Sequence, residues 1–374
     1  MSRLRFKRAD GLDFGDSISL CLGDVAEYRK SRRVAQEVVY VSTEDLLKDI
    51  EGISKRELTE AEGVEFFKGD ILLGNIRPYL KKIWLADCQG VCSADVLVIR
   101  SKSIYPSYLF YMLSSEDFFR HIADGYKGSK MPRGDKKQIM EYQLNIPEEI
   151  KEQQKIAAFF TALDEKIQNT CKKLVLTLKM KRALVRDILT REVGFSSSSD
   201  WQDVKLGDVS SIIKTRKSSE FLLYVGTEDL IKDFGGLNKV KKEDVSGIYF
   251  ERDDILISNI RPYLKKLWMS DEEGIASTDV IVYRSKNIEP SLLKHILSTD
   301  SFFEHVAQGY KGSKMPRGDK SQMATFAFQI PSDEKEQKQI ANFLNLIDKK
   351  ITCLREQEKA LKKQKQAFMQ QMFV

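Results

Sequence analysis

Arg77, Tyr79, Lys81 and Lys82 put positive charge beside an aromatic ring within one short segment. An arginine can bridge O6 and N7 of guanine, and a lysine more often meets a phosphate. The set is therefore a candidate DNA contact. Pro78 implies a fixed turn, so part of the segment is scaffold. The same residues recur as Arg261, Tyr263, Lys265 and Lys266, with Pro262 in the turn.

A second set lies among glycines: Lys127, Ser129, Lys130 and Arg133, repeated as Lys311, Ser313, Lys314 and Arg317. Glycine permits close backbone approach and positive φ, which suits phosphate contact through N–H groups and lysines. A structural turn between helix and strand is the plainer alternative. The Gly-x4-Gly-Lys-Ser/Thr spacing of a nucleotide-binding loop is absent. A third set is Arg29, Lys30, Arg32 and Arg33, matched by Lys214, Arg216 and Lys217. It is basic in both places but differs in sequence, which suits phosphate contact, half-site differences or a solvated charge run.

Catalytic chemistry finds little to work with. His121 and His305 each follow a Phe-Phe pair and read as structural. The five cysteines do not repeat and form no CxxC pair, so a metal site and a disulfide framework are not expected. Asp70, Asp254, Asp95 and Asp279 stand at strand ends, where turn and capping roles are expected. Asp333-Glu334-Lys335 opens a helix and suits its positive end.

These sets are positioned by a repeat. Asn75–Lys82 and Asn259–Lys266 both read NIRPYLKK, an offset of 184 positions (259 − 75). Gly125–Lys136 and Gly309–Lys320 both read GYKGSKMPRGDK at the same offset. Leu22-Gly23-Asp24-Val25 and Thr43-Glu44-Asp45-Leu46 recur likewise as Leu206-Gly207-Asp208-Val209 and Thr227-Glu228-Asp229-Leu230. The chain is one unit written twice. Each copy carries short β-type runs, such as Val38–Val41, Asp70–Leu73 and Val96–Ile99. A helical stretch follows Pro106 through Tyr108, Leu109, Met112 and Phe118, then the glycine-rich loop and a last strand ending at Ile146.

After Pro147 and Pro331 the pattern changes to seven-residue apolar spacing, expected to form two long helices in a coiled coil. Ile156, Phe160, Leu163, Ile167 and Leu174 mark the first, and Ile340, Leu344, Ile347, Ile351, Leu354 and Leu361 the second. These are the candidate subunit-interface residues, with Ile156, Leu163 and Ile167 expected against Ile340, Ile347 and Ile351. Each helix would have roughly 40 residues and span about 60 Å.

Charge is mildly basic, 61 Lys and Arg against 55 Asp and Glu. No run approaches the roughly 18 apolar residues of a membrane span, and no apolar stretch follows the basic N-terminus. A cytoplasmic protein is expected.

Globular unit, long helix, globular unit, long helix resembles the specificity subunits of type I restriction–modification enzymes. The family's helix signature appears here as Pro147, Glu152-Gln153, Ile156-Ala157, Leu163-Asp164 and Ile167. It recurs as Pro331, Glu336-Gln337, Ile340-Ala341, Ile347-Asp348 and Ile351. Trp201 followed by Leu206-Gly207-Asp208 also looks like this family, while Ser17 stands where the first copy would have that tryptophan. The resemblance covers essentially the whole chain. It implies an α+β fold: two target recognition domains (1–147 and 201–331) and two conserved helices (148–190 and 332–374), joined by a linker (191–200). The helices would pack antiparallel with pseudo-two-fold symmetry. The implied role is DNA recognition without catalysis, at a bipartite target with similar inverted half-sites. Implied partners are double-stranded DNA, two methyltransferase subunits on the coiled coil and, optionally, restriction subunits. S-adenosylmethionine would belong to the methyltransferase, since no Asn-Pro-Pro-Phe or Asp-Pro-Pro-Tyr segment is present. A stand-alone nuclease and a coiled-coil adaptor are the alternatives.

Overall fold

Short aliphatic runs bounded by Gly, Asp and Ser become strands, and long stretches without Pro or Gly become helices. The structure, a computed structural model, describes residues 4–54, 56–126, 131–194, 200–219, 222–238, 244–310, 312 and 315–373. It divides into two compact units, Met1–Thr170 with Gln357–Val374, and Cys171–Glu356.

In unit 1 the strands are β1 (Ser17–Cys21), β2 (Ala26–Tyr28), β3 (Arg32–Val41), β4 (Leu58–Phe66), β5 (Ile71–Gly74), β6 (Ile83–Leu85), β7 (Gly90–Cys92), β8 (Val96–Ser101) and β9 (Gln143–Pro147). The helices are α1 (Leu22–Val25), α2 (Pro106–Leu113), α3 (Glu116–Asp124), α4 (Lys136–Met140) and the long α5 (Ile150–Leu189). One sheet runs β2-β8-β5-β6, and β1 pairs with β9. Strand β3 pairs with β4, bulges between Ala35 and Val38, then runs parallel to β7.

Unit 2 repeats this order. Its strands are β10 (Trp201–Lys205), β11 (Ser210–Ile212), β12 (Arg216–Ser219), β13 (Leu223–Val225), β14 (Leu230–Ile231), β15 (Gly236–Leu237), β16 (Val245–Phe250), β17 (Ile255–Ser258), β18 (Leu267–Met269), β19 (Gly274–Ala276), β20 (Val280–Ser285) and β21 (Ala327–Pro331). Its helices are α6 (Leu206–Val209), α7 (Pro290–Leu297), α8 (Asp300–Ala307), α9 (Lys320–Ala324) and the long α10 (Glu334–Met372). The sheet β11-β20-β17-β18 matches that of unit 1 strand for strand. Strands β12 and β13 occupy the two ends of what is one strand, β3, in unit 1.

The predicted strand runs fall in β3, β5 and β8. The single helix expected after Pro106 is two. Ser115 ends the run, its Oγ accepting the Phe118 N–H and capping α3. Apolar spacing alone does not register such a cap.

The long helices pair within each unit through opposite ends. In unit 1, Phe159 meets Phe368, Phe160 stacks on Phe373, and Lys365 bonds Asp164 at 2.6 Å. In unit 2, Val185 and Ile188 share a core with Ile340, Ala341 and Leu344, and Lys181 bonds Asp348 at 2.5 Å. Ascending residues of α5 meet descending residues of α10, so each pair is antiparallel. This corrects the expected pairing of Ile156, Leu163 and Ile167 with Ile340, Ile347 and Ile351. Heptad spacing shows which face is buried but not which end of the partner covers it. Ile156, Phe160, Ile167, Ile340, Leu344, Ile347, Ile351, Leu354 and Leu361 are buried inside the chain, and Leu163 and Leu174 partly so. They are contacts of the chain with itself rather than a face open to another subunit.

Candidate nucleic-acid interface

Three segments shared by the two copies, far apart in sequence, meet at one place in each unit. The NIRPYLKK segment leaves β5 and turns through a short 3-10 helix at Pro78–Leu80, with Arg77 and Lys81 on either side at φ 51° and 49°. Left-handed backbone at non-glycine residues costs of order 1 kcal/mol or more each, so the surroundings must enforce it. They do. The Arg77 N–H donates to the Pro132 carbonyl at 2.9 Å, and Ile76 bridges Arg133. On the other side, Asp49 and Ile50, themselves at φ 52° and 65°, donate their N–H groups to the Leu80 and Lys81 carbonyls at 3.0 and 3.1 Å.

Unit 2 reproduces this bond by bond. Arg261 and Lys265 are left-handed, as are Asp233 and Phe234. Arg261 N–H donates to the Pro316 carbonyl at 2.9 Å and Ile260 bridges Arg317. Asp233 and Phe234 donate to the Leu264 and Lys265 carbonyls at 3.1 and 3.0 Å. The loop that begins Thr43-Glu44-Asp45-Leu46 is thus a third part of the site. The four residues that open it recur unchanged and marked the repeat, while Ile50 of the propping pair becomes Phe234 on the same left-handed backbone.

The cations of this cluster divide into anchored and free. Lys82 donates to the Thr43 carbonyl, and Lys266 to the Thr227 carbonyl at 2.6 Å. Burial lowers the pKa of both amines. Lys81 pairs with Glu116 at 2.6 Å and Lys265 with Asp300, which fastens the turn to the first turn of α3 or α8. Arg133 reaches Asp95 at 3.1 Å and Arg317 reaches Asp279 at 2.9 Å. Arg77 and Arg261 remain: exposed, with no side-chain partner among the described residues. Tyr79 and Tyr263 stand beside them, 54% and 52% exposed. Met131 and Met315, next to the prolines that receive the arginine N–H groups, are also exposed. Each unit therefore presents a free guanidinium, a ring and a thioether on a rigid turn. Gly134 lets the loop close on this turn, because a Cβ there would stand 3.1 Å from Asn75 Oδ1.

Lys127, Ser129, Lys130, Lys311, Ser313 and Lys314 lie outside the described residues. In the third set, Arg29 turns inward, bonding Asp70 at 2.5 Å with its guanidinium over Phe67. Arg32 and Arg33 stay exposed on β3, 3.6 Å from Glu62 and 3.3 Å from Glu65. Lys30 and Lys214 lie just ahead of β3 and β12. Arg216 is exposed, and Lys217 lies 3.3 Å from the centre of the Tyr249 ring.

The remaining candidates serve the fold. Asp70 accepts the Phe67 N–H and Asp254 the Glu251 N–H, both at 2.8 Å, so they close turns. His121 lies 2.7 Å from the Gln138 carbonyl and His305 2.8 Å from that of Gln322. Asp333 Oδ1 accepts the Lys335 N–H at 3.0 Å at the start of α10. Among the described residues no group of His, Cys, Asp and Glu has the arrangement of a metal site, and no helix is long and apolar enough to cross a membrane.

Comparison with known proteins accounts for the duplication. The family model for the type I restriction modification DNA specificity domain matches twice, over residues 18–177 and 198–363. The type I restriction enzyme MjaVIII specificity subunit of Methanocaldococcus jannaschii is 25% identical, covering 97% of this chain and 94% of that protein. The HindI specificity subunit of Haemophilus influenzae is 29% identical over 170 residues, 39% of this chain and 35% of its own. Among solved structures, a type I restriction–modification S subunit from M. genitalium superposes with a TM-score of 0.64 at 14% identity, covering 96% of each chain. A chain from a type I R-M assembly gives 0.56 at 19% identity, covering 96% of this chain and 97% of its own.

Proposed function

This chain belongs to the type I restriction modification DNA specificity family, and from that premise we propose that it is the non-catalytic DNA-reading subunit of such an enzyme. It recognises a bipartite duplex target with two similar inverted half-sites, one per unit. Methyltransferase subunits dock on the paired helices and bring S-adenosylmethionine, and restriction subunits are optional further partners. The observation that supports this most is the duplicated turn. Two separate units hold the same arginine on the same enforced left-handed backbone, with the same tyrosine in the short 3-10 helix that follows it. A catalytic centre has no need of two identical copies held on strained turns, whereas a bipartite duplex needs its backbone held at each half-site.

Within this reading, phosphate contacts hold the protein on DNA without carrying sequence information. Arg77, Arg261 and the loop lysines Lys127, Lys130, Lys311 and Lys314 have that role, with Tyr79 and Tyr263 packing on sugar or base. Lys81, Lys82, Arg133 and their counterparts shape the turn.

Mapping methylated bases in DNA from cells expressing this chain with its methyltransferase tests the proposal. The expected motif has two related halves in inverted orientation across a fixed spacer. Unrelated halves, or no motif, would contradict it.

A further inference from the structure

The two units are an internal comparison. The converging segments are identical, residue for residue, over 75–82 and 125–136 and their counterparts. One paired element is not. Strands β3 and β4 form an antiparallel ribbon with Arg32 opposite Val64, Arg33 opposite Gly63 and Val34 opposite Glu62. Strands β12 and β16 form the same ribbon in the same register, with Arg216 opposite Ile248 and Lys217 opposite Gly247. Over residues 32–35 and 61–65 only Arg32 and Gly63 are kept. The glycine has a structural reason: a Cβ at Gly63 or Gly247 would lie 2.3 or 2.2 Å from the carbonyl of the neighbouring strand.

The other positions change chemistry on an unchanged backbone pairing. Exposed Arg33 faces Glu65 in unit 1, whereas Lys217 lies over the Tyr249 ring in unit 2. Glu62, 3.6 Å from Arg32, is replaced by Ser246. Val34, 65% exposed, is replaced by Ser218. The exposed Arg32–Glu62 pair adds little to stability, so folding does not explain that choice of partners.

Resting on the DNA-reading role proposed above, we infer that the β3–β4 and β12–β16 ribbons are the base-reading elements that make the two half-sites differ, while the shared turns hold the backbone of both. A two-stranded ribbon fits the roughly 12 Å major groove. There Arg33 can donate to guanine O6 and N7, and Glu62 or Glu65 can accept from cytosine N4. Lys217, Ser246 and Tyr249 offer a different pattern of donors and acceptors. The weak pairs Arg32–Glu62 and Arg33–Glu65 hold these groups at the surface, and bases can replace the partners.

The test uses the full chain with its methyltransferase, reading the methylated motif by sequencing. In one variant, residues 32–35 and 61–65 take the sequences of 216–219 and 245–249. The expected result is a motif whose two halves have become the same, with methylation of the original site reduced on the order of tenfold per altered base pair. An original motif retained at full activity overturns the inference, as does a wild-type motif whose halves are already identical. If the exchanged chain fails to fold by thermal melting, the double variant Arg33→Lys, Glu65→Tyr decides. A changed base preference in one half supports the inference, and an unchanged preference overturns it. Loss of any motif in the wild type is a separate outcome, which removes the DNA-reading role itself and the inference with it.

Discussion

At one equivalent position the two helix pairs answer the same need differently. Asp164 in unit 1 and Asp348 in unit 2 each bond a lysine from the other long helix, Lys365 and Lys181, which are themselves equivalent at the 184-residue offset. Around that pair, unit 1 supplies the Tyr111 hydroxyl, 3.0 Å from Asp164. Unit 2 has His295 there instead, adds Lys294 on Asp348, and places Asn345 3.0 Å from the histidine. Burial and the two lysines push the His295 pKa down to about 3, and Asp348, beside both lysines, is held down at about 2. The repeat thus preserves an ion pair and lets its surroundings drift. Asp70 and Asp254 show the same in the sheet. Asp70 bonds Arg29 from before β3, and Asp254 bonds Arg284 from β20. A buried carboxylate demands a cation, not one from a fixed place in the sequence.

If the Asp–Lys pair is the shared lock of both helix pairs, a fragment of residues 191–374 should lock onto a second copy of itself. Lys365 of one copy would take the place of Lys181 on Asp348 of the other, and Met369 and Met372 would replace Val185 and Ile188. Light scattering at tens of micromolar should show a dimer. A monomer would show that Glu358 and Lys362, standing where Leu174 and Leu178 stand in the full chain, prevent the match.

In the full chain, Asp348→Ala strands two part-buried lysines and should cost roughly 3 kcal/mol. Asp164→Ala strands one and should cost about 1 kcal/mol less. Equal losses in urea melts would mean that Lys294 adds nothing to the unit 2 site.

A smaller contrast lies in pH. The folded His295 pKa is depressed, so below pH 6.5 the unfolded chain takes up a proton that the folded site refuses. Stability from this residue is complete above pH 6.5. It falls by about 1.4 kcal/mol per pH unit as the pH drops towards 3. The Asp348 contribution is lost lower, between 3.8 and 2. His295→Tyr, which installs the residue of unit 1, should flatten the stability profile from pH 6.5 down to about 4. A profile as steep as the wild type's would place the acid sensitivity elsewhere.

Sequence patterns carried the repeat, the strand runs, both long helices and the segments that build the turn. They did not carry the pairings. Heptad spacing marks Ile156 and Ile340 as buried without showing that each faces the far end of the other helix. Nothing local to Asp49 or Asp233 marks the left-handed backbone that props the turn, because that conformation is imposed by carbonyls some thirty residues away. Arg29 reads as a surface charge in a basic run, and only the fold brings Asp70 to it.

If identical turns hold DNA in both units, the salt dependence of duplex binding shows it most directly. The measurement compares the full chain, wild type against Arg77→Gln, Arg261→Gln. The variant should bind target and random duplex more weakly by the same factor. Its log–log salt slope should be shallower by about 1.8, at about 0.9 for each phosphate no longer neutralised. An unchanged slope, with the preference for target over random DNA collapsing, would contradict the account and make the turn a reader of bases.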